Sequence, residues 1–162
     1  MKFELTQRYR SSPEEVTSAY ADVDLYPTLV GLPKLGGIEV LSGERTDDHA
    51  SLRIRFRFIG DLPGAVTAVI DPDKLTWVQE TEHDLGTGDT TFTLVPDHYP
   101  DRLSASGAFQ VTADGDGAKR VVTGELKVRA LLVGGKVEQA IVSGLEEYLV
   151  AEAPAVDAYL SR

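Results

Sequence analysis

The segment VGGKVEQAIVSGLEEYLVAEAPAVDAYLSR, Val133 to Arg162, decides the fold. On a helical period, Val137, Ile141, Gly144, Leu145, Tyr148, Leu149, Val156, Tyr159 and Leu160 fall on one broad stripe. Lys136, Gln139, Ser143, Glu146, Glu147 and Asp157 fall on the other side. Such a helix reaches about 40 Å, enough to cross a small domain. A stripe that long needs an extended apolar surface beneath it, and a curved sheet supplies one. Two positions disturb the pattern. Glu152 falls between Tyr148 and Val156, and Pro154 withdraws the amide that would bond to Val150, so it must kink or restart the helix. An unpaired buried carboxylate is expensive, which favours a Glu152 turned into water over one aimed inward.

Almost everything before this segment reads as strand. Val121 to Val133 and Leu103 to Val111 are joined by Asp114-Gly115-Asp116-Gly117, a strong hairpin signal. Thr90 to Val95, Trp77 to His83 and Ala65 to Ile70 precede them, separated by Gly- and Asp-rich turns. Leu52, Ile54, Phe56 and Phe58 alternate with Arg53, Arg55 and Arg57, the pattern of a strand with one covered and one wet face. Gly37 to Arg45 comes before it. Lys2 to Arg10 also alternates, with Phe3, Leu5, Gln7 and Tyr9 on one face. Ser12-Pro13-Glu14-Glu15 then predicts a helix start with a capping box. A second short helical piece follows from Leu25 to Gly31. The fold class is therefore α+β: a curved antiparallel sheet of seven or eight strands gripping a long C-terminal helix, with two short helices after the first strand.

The totals narrow the function classes. The 162 residues fit a single domain spanning 1–162. Cysteine is absent, which removes disulfides, thiolate metal sites and cysteine nucleophiles. The net charge of −10 repels phosphate backbones and anionic membranes, so no nucleic acid partner is expected. No apolar run is long enough for stable membrane insertion, and the alternating start is unlike a signal peptide. A cytoplasmic location is the expectation.

The element order, together with Val121-Val122-Thr123-Gly124-Glu125-Leu126-Lys127-Val128 and the following Val133-Gly134-Gly135-Lys136-Val137-Glu138, resembles the START-like superfamily, also called SRPBCC or Bet v 1-like. More narrowly it resembles a bacterial family, domain of unknown function 2505. Pro100-Asp101-Arg102-Leu103 and the opening strand with Ser12-Pro13-Glu14-Glu15-Val16 carry the same likeness, which spans essentially the whole chain. The resemblance implies an apolar cavity between sheet and helix, used across the superfamily for lipids, sterols, polyketides and similar molecules. Some members are cyclases or hydrolases and many only bind. No universal catalytic residue carries over.

The cavity candidates are Phe56, Phe58, Trp77, Gln79, Thr81, His83, Phe92, Phe109, Ile141, Leu145 and Tyr148. The aromatic ones serve equally in a filled core. Ala105, Gly107 and Gly124 leave room under the helix. Counting by two from Trp77 puts Gln79, Thr81 and His83 on the covered face, where they can orient a ligand. His83 is also the natural general acid or base, although hydration at the sheet rim is the favoured reading for a histidine near a strand end. His49 and His98 sit in turn-like contexts and are expected to be exposed. No metal pair or cofactor motif is present. Gly134-Gly135-Lys136 lacks the earlier glycine and the following Ser or Thr of a phosphate loop, so its glycines serve the strand-to-helix bend. Arg53, Arg55 and Arg57 read as a solvated ionic face neutralised by Glu80 and Glu82.

Three functions stay in play: binding, transport or sensing of a small hydrophobic molecule; a cyclase- or hydrolase-type enzyme using His83; and a filled-core interaction module, such as a homodimer paired through a strand edge. The first is preferred because no catalytic pair or Gly-x-Ser-x-Gly elbow can be read.

Overall fold

A computed structural model describes residues 1–162. The elements are β1 (Lys2–Tyr9), α1 (Pro13–Tyr20), β2 (Leu35–Arg45), β3 (His49–Phe58), α2 (Gly64–Thr67), β4 (Thr76–Asp84), β5 (Asp89–Pro96), β6 (Leu103–Asp114), β7 (Gly117–Val128) and α3 (Gly134–Leu160). All seven strands form one antiparallel sheet in the order β1-β7-β6-β5-β4-β3-β2. Short turns join β2 to β3, β4 to β5 and β6 to β7 and force antiparallel pairing there, a longer connection carrying α2 joins β3 to β4, and β1 pairs with the free side of β7. This is the Bet v 1-like helix-grip fold, with α3 lying across the inner face.

Local chemistry explains where the elements begin. Ser12 Oγ accepts from the Glu15 amide at 3.2 Å while the Ser12 amide donates to Glu15 Oε2 at 2.9 Å, so the capping box at α1 is complete. The far end of α3 is latched to the same corner. Asp157 accepts from the amides of Arg10 and Ser11 at 2.9 and 3.1 Å, and from Ser11 Oγ at 2.7 Å. Pro154 lies inside α3 without ending it. The carbonyl it leaves unpaired belongs to Val150, which is exposed, so water can take the place of the missing amide.

Four sequence-based expectations change. Ala65 to Ile70 is not a strand: it contains the single helical turn α2, and Val66 and Ile70, four residues apart, are both buried. The spacing of these two apolar residues is helical, and a run this short did not separate the two periods. Leu25 to Gly31 reduces to the three-residue 3-10 turn Tyr26–Thr28, with Leu25, Tyr26 and Leu29 packed into the core. The last strand stops at Val128, five residues before the expected end, and Leu131 and Leu132 are exposed.

The fourth concerns the glycine pair at the head of α3. Neither Gly134 nor Gly135 adopts positive φ; the left-handed residue of this junction is Leu132, at φ 67°. Gly134 is required for space instead, because a Cβ there would meet the Val128 carbonyl oxygen at 2.4 Å, whereas one on Gly135 would meet nothing. Gly134→Ala is expected to lower the urea midpoint by the equivalent of about 1–3 kcal/mol. Gly135→Ala should leave it unchanged or raise it, by up to about 1 kcal/mol. Equal loss in both variants would contradict this assignment.

Candidate functional site

The sheet and α3 enclose a cavity of about 70 Å³. Seventeen of its twenty-two lining residues are hydrophobic, so burial of apolar surface is its dominant chemistry. The alternation of the strands builds this wall: Trp77, Gln79, Thr81 and His83 from β4, Phe92 and Leu94 from β5, Ala105 and Phe109 from β6, Arg120, Val122 and Leu126 from β7. The helix adds Ile141, Val142, Leu145, Tyr148, Leu149 and Glu152. Ten of the eleven sequence-based candidates border the cavity. Phe58 does not: its ring is packed under α3, where a Cβ on Gly144 would come within 2.7 Å of it. The space beside Gly107 and Gly124 is also occupied, by the rings of Phe92 and Phe3 respectively, and these two rings become wall.

The two ends of the wall differ in polarity. Leu94, Ala105 and Leu126 lie side by side in the sheet, making one apolar end. Six residues back along β7, about 20 Å of strand, stands Arg120. Its guanidinium is sandwiched 3.7 Å from the Tyr20 ring centroid and 4.0 Å from that of Phe109. Nη1 donates to Gln7 Oε1 at 2.7 Å and lies 3.5 Å from Glu152 Oε1. Gln7 Nε2 in turn donates to Glu152 Oε1 at 3.1 Å and to the Leu149 carbonyl at 2.8 Å. The Tyr20 hydroxyl donates to the same Glu152 oxygen at 2.6 Å and also contacts the Tyr9 hydroxyl at 2.6 Å. Burial first, and the Glu152 charge second, hold Tyr20 well above the usual phenol range, so it stays a neutral donor.

Glu152 therefore corrects the expectation that it turns to water: it is buried, and the partner whose absence argued against burial is Arg120. A last strand beginning at Val121 leaves Arg120 between the turn and the strand, where nothing in the sequence pattern singles it out. A start three or four residues earlier puts it among Ala118, Val122, Leu126 and Val128 on the covered face, where an arginine is a conspicuous exception.

His83 is not hydrated at the sheet rim either. It is 2% exposed, with Nε2 2.9 Å from Thr81 Oγ1 and Nδ1 3.0 Å from Thr90 Oγ1. Burial, followed by the charge of Arg120, lowers its pKa to about 4. The ring is thus neutral near pH 7, with both nitrogens engaged. His49 and His98 are exposed as expected, and His49 contacts Glu82 at 2.7 Å. The arginines of β3 pair across the outer face: Arg53 with Glu80 at 3.9 Å, and Arg55 with Asp97 at 2.9 and 3.1 Å. Arg57 pairs with Asp73 beyond the sheet.

One polar atom in the wall stands apart. The Tyr148 hydroxyl is buried and has no partner in hydrogen-bond geometry, although its ring packs edge-on to Phe56 with centroids 6.4 Å apart. Burial, then the nearby Glu152 carboxylate, keeps it a neutral phenol well above its usual range.

Two experiments probe this polar end. Arg120→Met strands a buried carboxylate and should cost about 3–5 kcal/mol in urea unfolding, most of it recovered in the Arg120→Met/Glu152→Leu double variant. For His83 the folded state binds its proton less readily than the unfolded chain. Its contribution is therefore fully present above about pH 6.5 and is lost as pH falls toward 4, by up to about 3 kcal/mol. His83→Gln should flatten the stability profile in that window, and an imidazole titrating near 6.5 by NMR would contradict the burial argument.

Comparison with known proteins places the chain. No curated protein sequence matches it. Among solved structures it is similar to TTHA0849 from Thermus thermophilus, at 16% identity and a TM-score of 0.69, covering 99% of this chain and 97% of that one. It is similar to the Zhui aromatase/cyclase from Streptomyces sp. R1128, at 20% identity and a TM-score of 0.66, covering 100% and 94%. A START superfamily protein from Mycobacterium smegmatis matches at 16% identity and a TM-score of 0.56, covering 99% and 97%. These likenesses establish the fold. The sequence profile of one family, the protein of unknown function DUF2505, matches residues 4–160, and the chain belongs to that family.

Proposed function

We propose that this protein binds a small, largely hydrophobic molecule between the sheet and α3, and acts as its carrier or sensor. The observation that carries the reading is the mostly apolar cavity itself, with the buried Tyr148 hydroxyl in its wall outside hydrogen-bond geometry with any protein group. A buried hydroxyl left without a partner costs about 1–3 kcal/mol, which a core selected only for packing sheds by using phenylalanine. A ligand that bonds to this hydroxyl explains why it is kept. The cavity's 70 Å³ is about half the volume that holds a benzene ring in an engineered core, so the molecule is compact or its entry moves wall side chains such as the half-buried Leu145.

The enzyme reading is weaker. The aromatase/cyclase among the structural neighbours shares the fold at 20% identity, and His83, its candidate acid or base, has both nitrogens bonded to threonines. A filled-core module paired through a strand edge is also weaker. The β2 edge carries two register irregularities, which disfavour strand addition. Nucleic acid plays no part in this reading, and no helix is long and apolar enough to cross a membrane.

Native mass spectrometry paired with denaturing extraction, on protein purified from its own host, tests the proposal. A bound apolar molecule is expected, and Ala105→Phe, which fills the wall, should abolish its retention while the fold and melting temperature persist. Retention undiminished in Ala105→Phe would place the ligand elsewhere.

A further inference from the structure

The end of the sheet where β3, β5 and β7 finish differs from the end where they begin. Ile59 and Val69 are exposed in the β3–β4 connection there, Val95 at the end of β5, and Leu131 and Leu132 in the junction between β7 and α3. None of the exposed large hydrophobic residues lies in the turns 46–48, 85–88 or 115–116 at the opposite end. Leu131 and Leu132 stand furthest out, 89% and 91% exposed. Their neighbours do not: Val133 belongs to the core and Ala130 packs against it. Leu132 has φ 67°, a left-handed conformation that L side chains disfavour, so the backbone accepts strain in a turn that leaves both leucines in solvent.

The same junction is cationic in a chain of net charge −10. Residues 126–137 carry Lys127, Arg129 and Lys136 and no acidic residue. Arg102 joins them, its carbonyl accepting from the Arg129 amide at 2.7 Å. Arg102, Arg129 and Lys136 are exposed and take part in no ion pair. Of the flanking carboxylates, Glu125 is bridged to Lys127 at 3.5 Å and Glu138 accepts from the Val128 amide at 2.9 Å, which leaves Asp101 beside Arg102. Two leucines on one loop bury far less than the roughly 1,200 Å² of a stable protein interface. A bilayer needs only such a tip, with cations beside it to meet its phosphates. We infer that the β7–α3 junction docks this protein on an anionic phospholipid bilayer, with Leu131 and Leu132 entering the boundary between headgroups and acyl chains. Arg102, Arg129 and Lys136 then lie against the phosphates. The contact is peripheral and reversible, distinct from a membrane span. Charges elsewhere on the chain are screened over about 8 Å at physiological salt, so the charge at the contact decides. The inference goes beyond the proposed function and does not depend on it.

Vesicle flotation of the full chain tests it, with phosphatidylcholine alone and with an equimolar mixture of phosphatidylcholine and phosphatidylglycerol. The wild type is expected to float with the mixed vesicles, about tenfold or more tightly than with phosphatidylcholine alone, and to be released by high salt. Leu131→Ser/Leu132→Asn should weaken that binding about tenfold or more. This variant should fold, because both side chains stand in solvent and asparagine tolerates positive φ, and its melting temperature checks that. Arg129→Gln/Lys136→Gln should weaken binding to the mixed vesicles about tenfold and leave the melting temperature unchanged. Failure of the wild type to float with the mixed vesicles overturns the docking, as does equal flotation with the two vesicle types or undiminished flotation of the leucine variant. A dimer seen by analytical ultracentrifugation and abolished in the leucine variant would also overturn it, making the junction a contact between copies. None of these outcomes touches the cavity, whose ligand is tested separately by native mass spectrometry.

Discussion

The Arg120–Glu152 pair, bridged by Gln7, holds this structure together where its parts would otherwise only stack. Gln7 is on β1, Arg120 on β7 and Glu152 on α3, and Gln7 and Arg120 are direct partners across the sheet. Hydrophobic burial brings helix and sheet together without direction. A buried charge pair is directional: sliding α3 by one turn would strand Glu152 away from Arg120, at a cost of several kcal/mol. The pair therefore sets the register of the helix over the sheet. Stacking of the guanidinium between Tyr20 and Phe109 extends the same constraint to α1 and β6.

That register has consequences along the whole helix. With Glu152 placed, Tyr148 falls one turn earlier against Phe56, and Gly144 one turn before that against the Phe58 ring. At the far end Asp157 reaches the amides of Arg10 and Ser11, so both the middle and the end of α3 are tied to the beginning of the chain. The cavity is what remains between these attachments. Its polarity is lopsided because the charged network occupies one end only, and the strands continue apolar beyond it. Tyr148 stands one helical turn from Glu152 at that end, so the polar part of the wall is also the part that the network positions.

The contrast between His83 and Glu152 shows how burial decides chemistry. Each is a titratable side chain facing the interior. His83 is surrounded by threonine hydroxyls and an arginine charge, so it stays neutral and acts as a bonded wall residue. Glu152 has a cation beside it and gathers Gln7, Tyr20 and Arg120 around one oxygen. In isolation His83 has the more useful chemistry and Glu152 the stronger claim to water, yet His83 is held by threonines and Glu152 is the centre of a buried network.

What the sequence determined by itself was everything governed by period and local caps. The two-residue alternation of β3 and β4, the Ser12–Glu15 box and the stripe of α3 each depend on near neighbours, and each is realised. The inward row of Gln79, Thr81 and His83 follows from the same alternation. Short apolar runs were ambiguous, because Val66 and Ile70 carry too few residues to separate the two periods. Only the tertiary structure could decide the polar end. Whether a carboxylate tolerates burial depends on the cation beside it, and Arg120 and Glu152 are brought together by the pairing of β1 with β7 and the return of α3, not by their spacing along the chain.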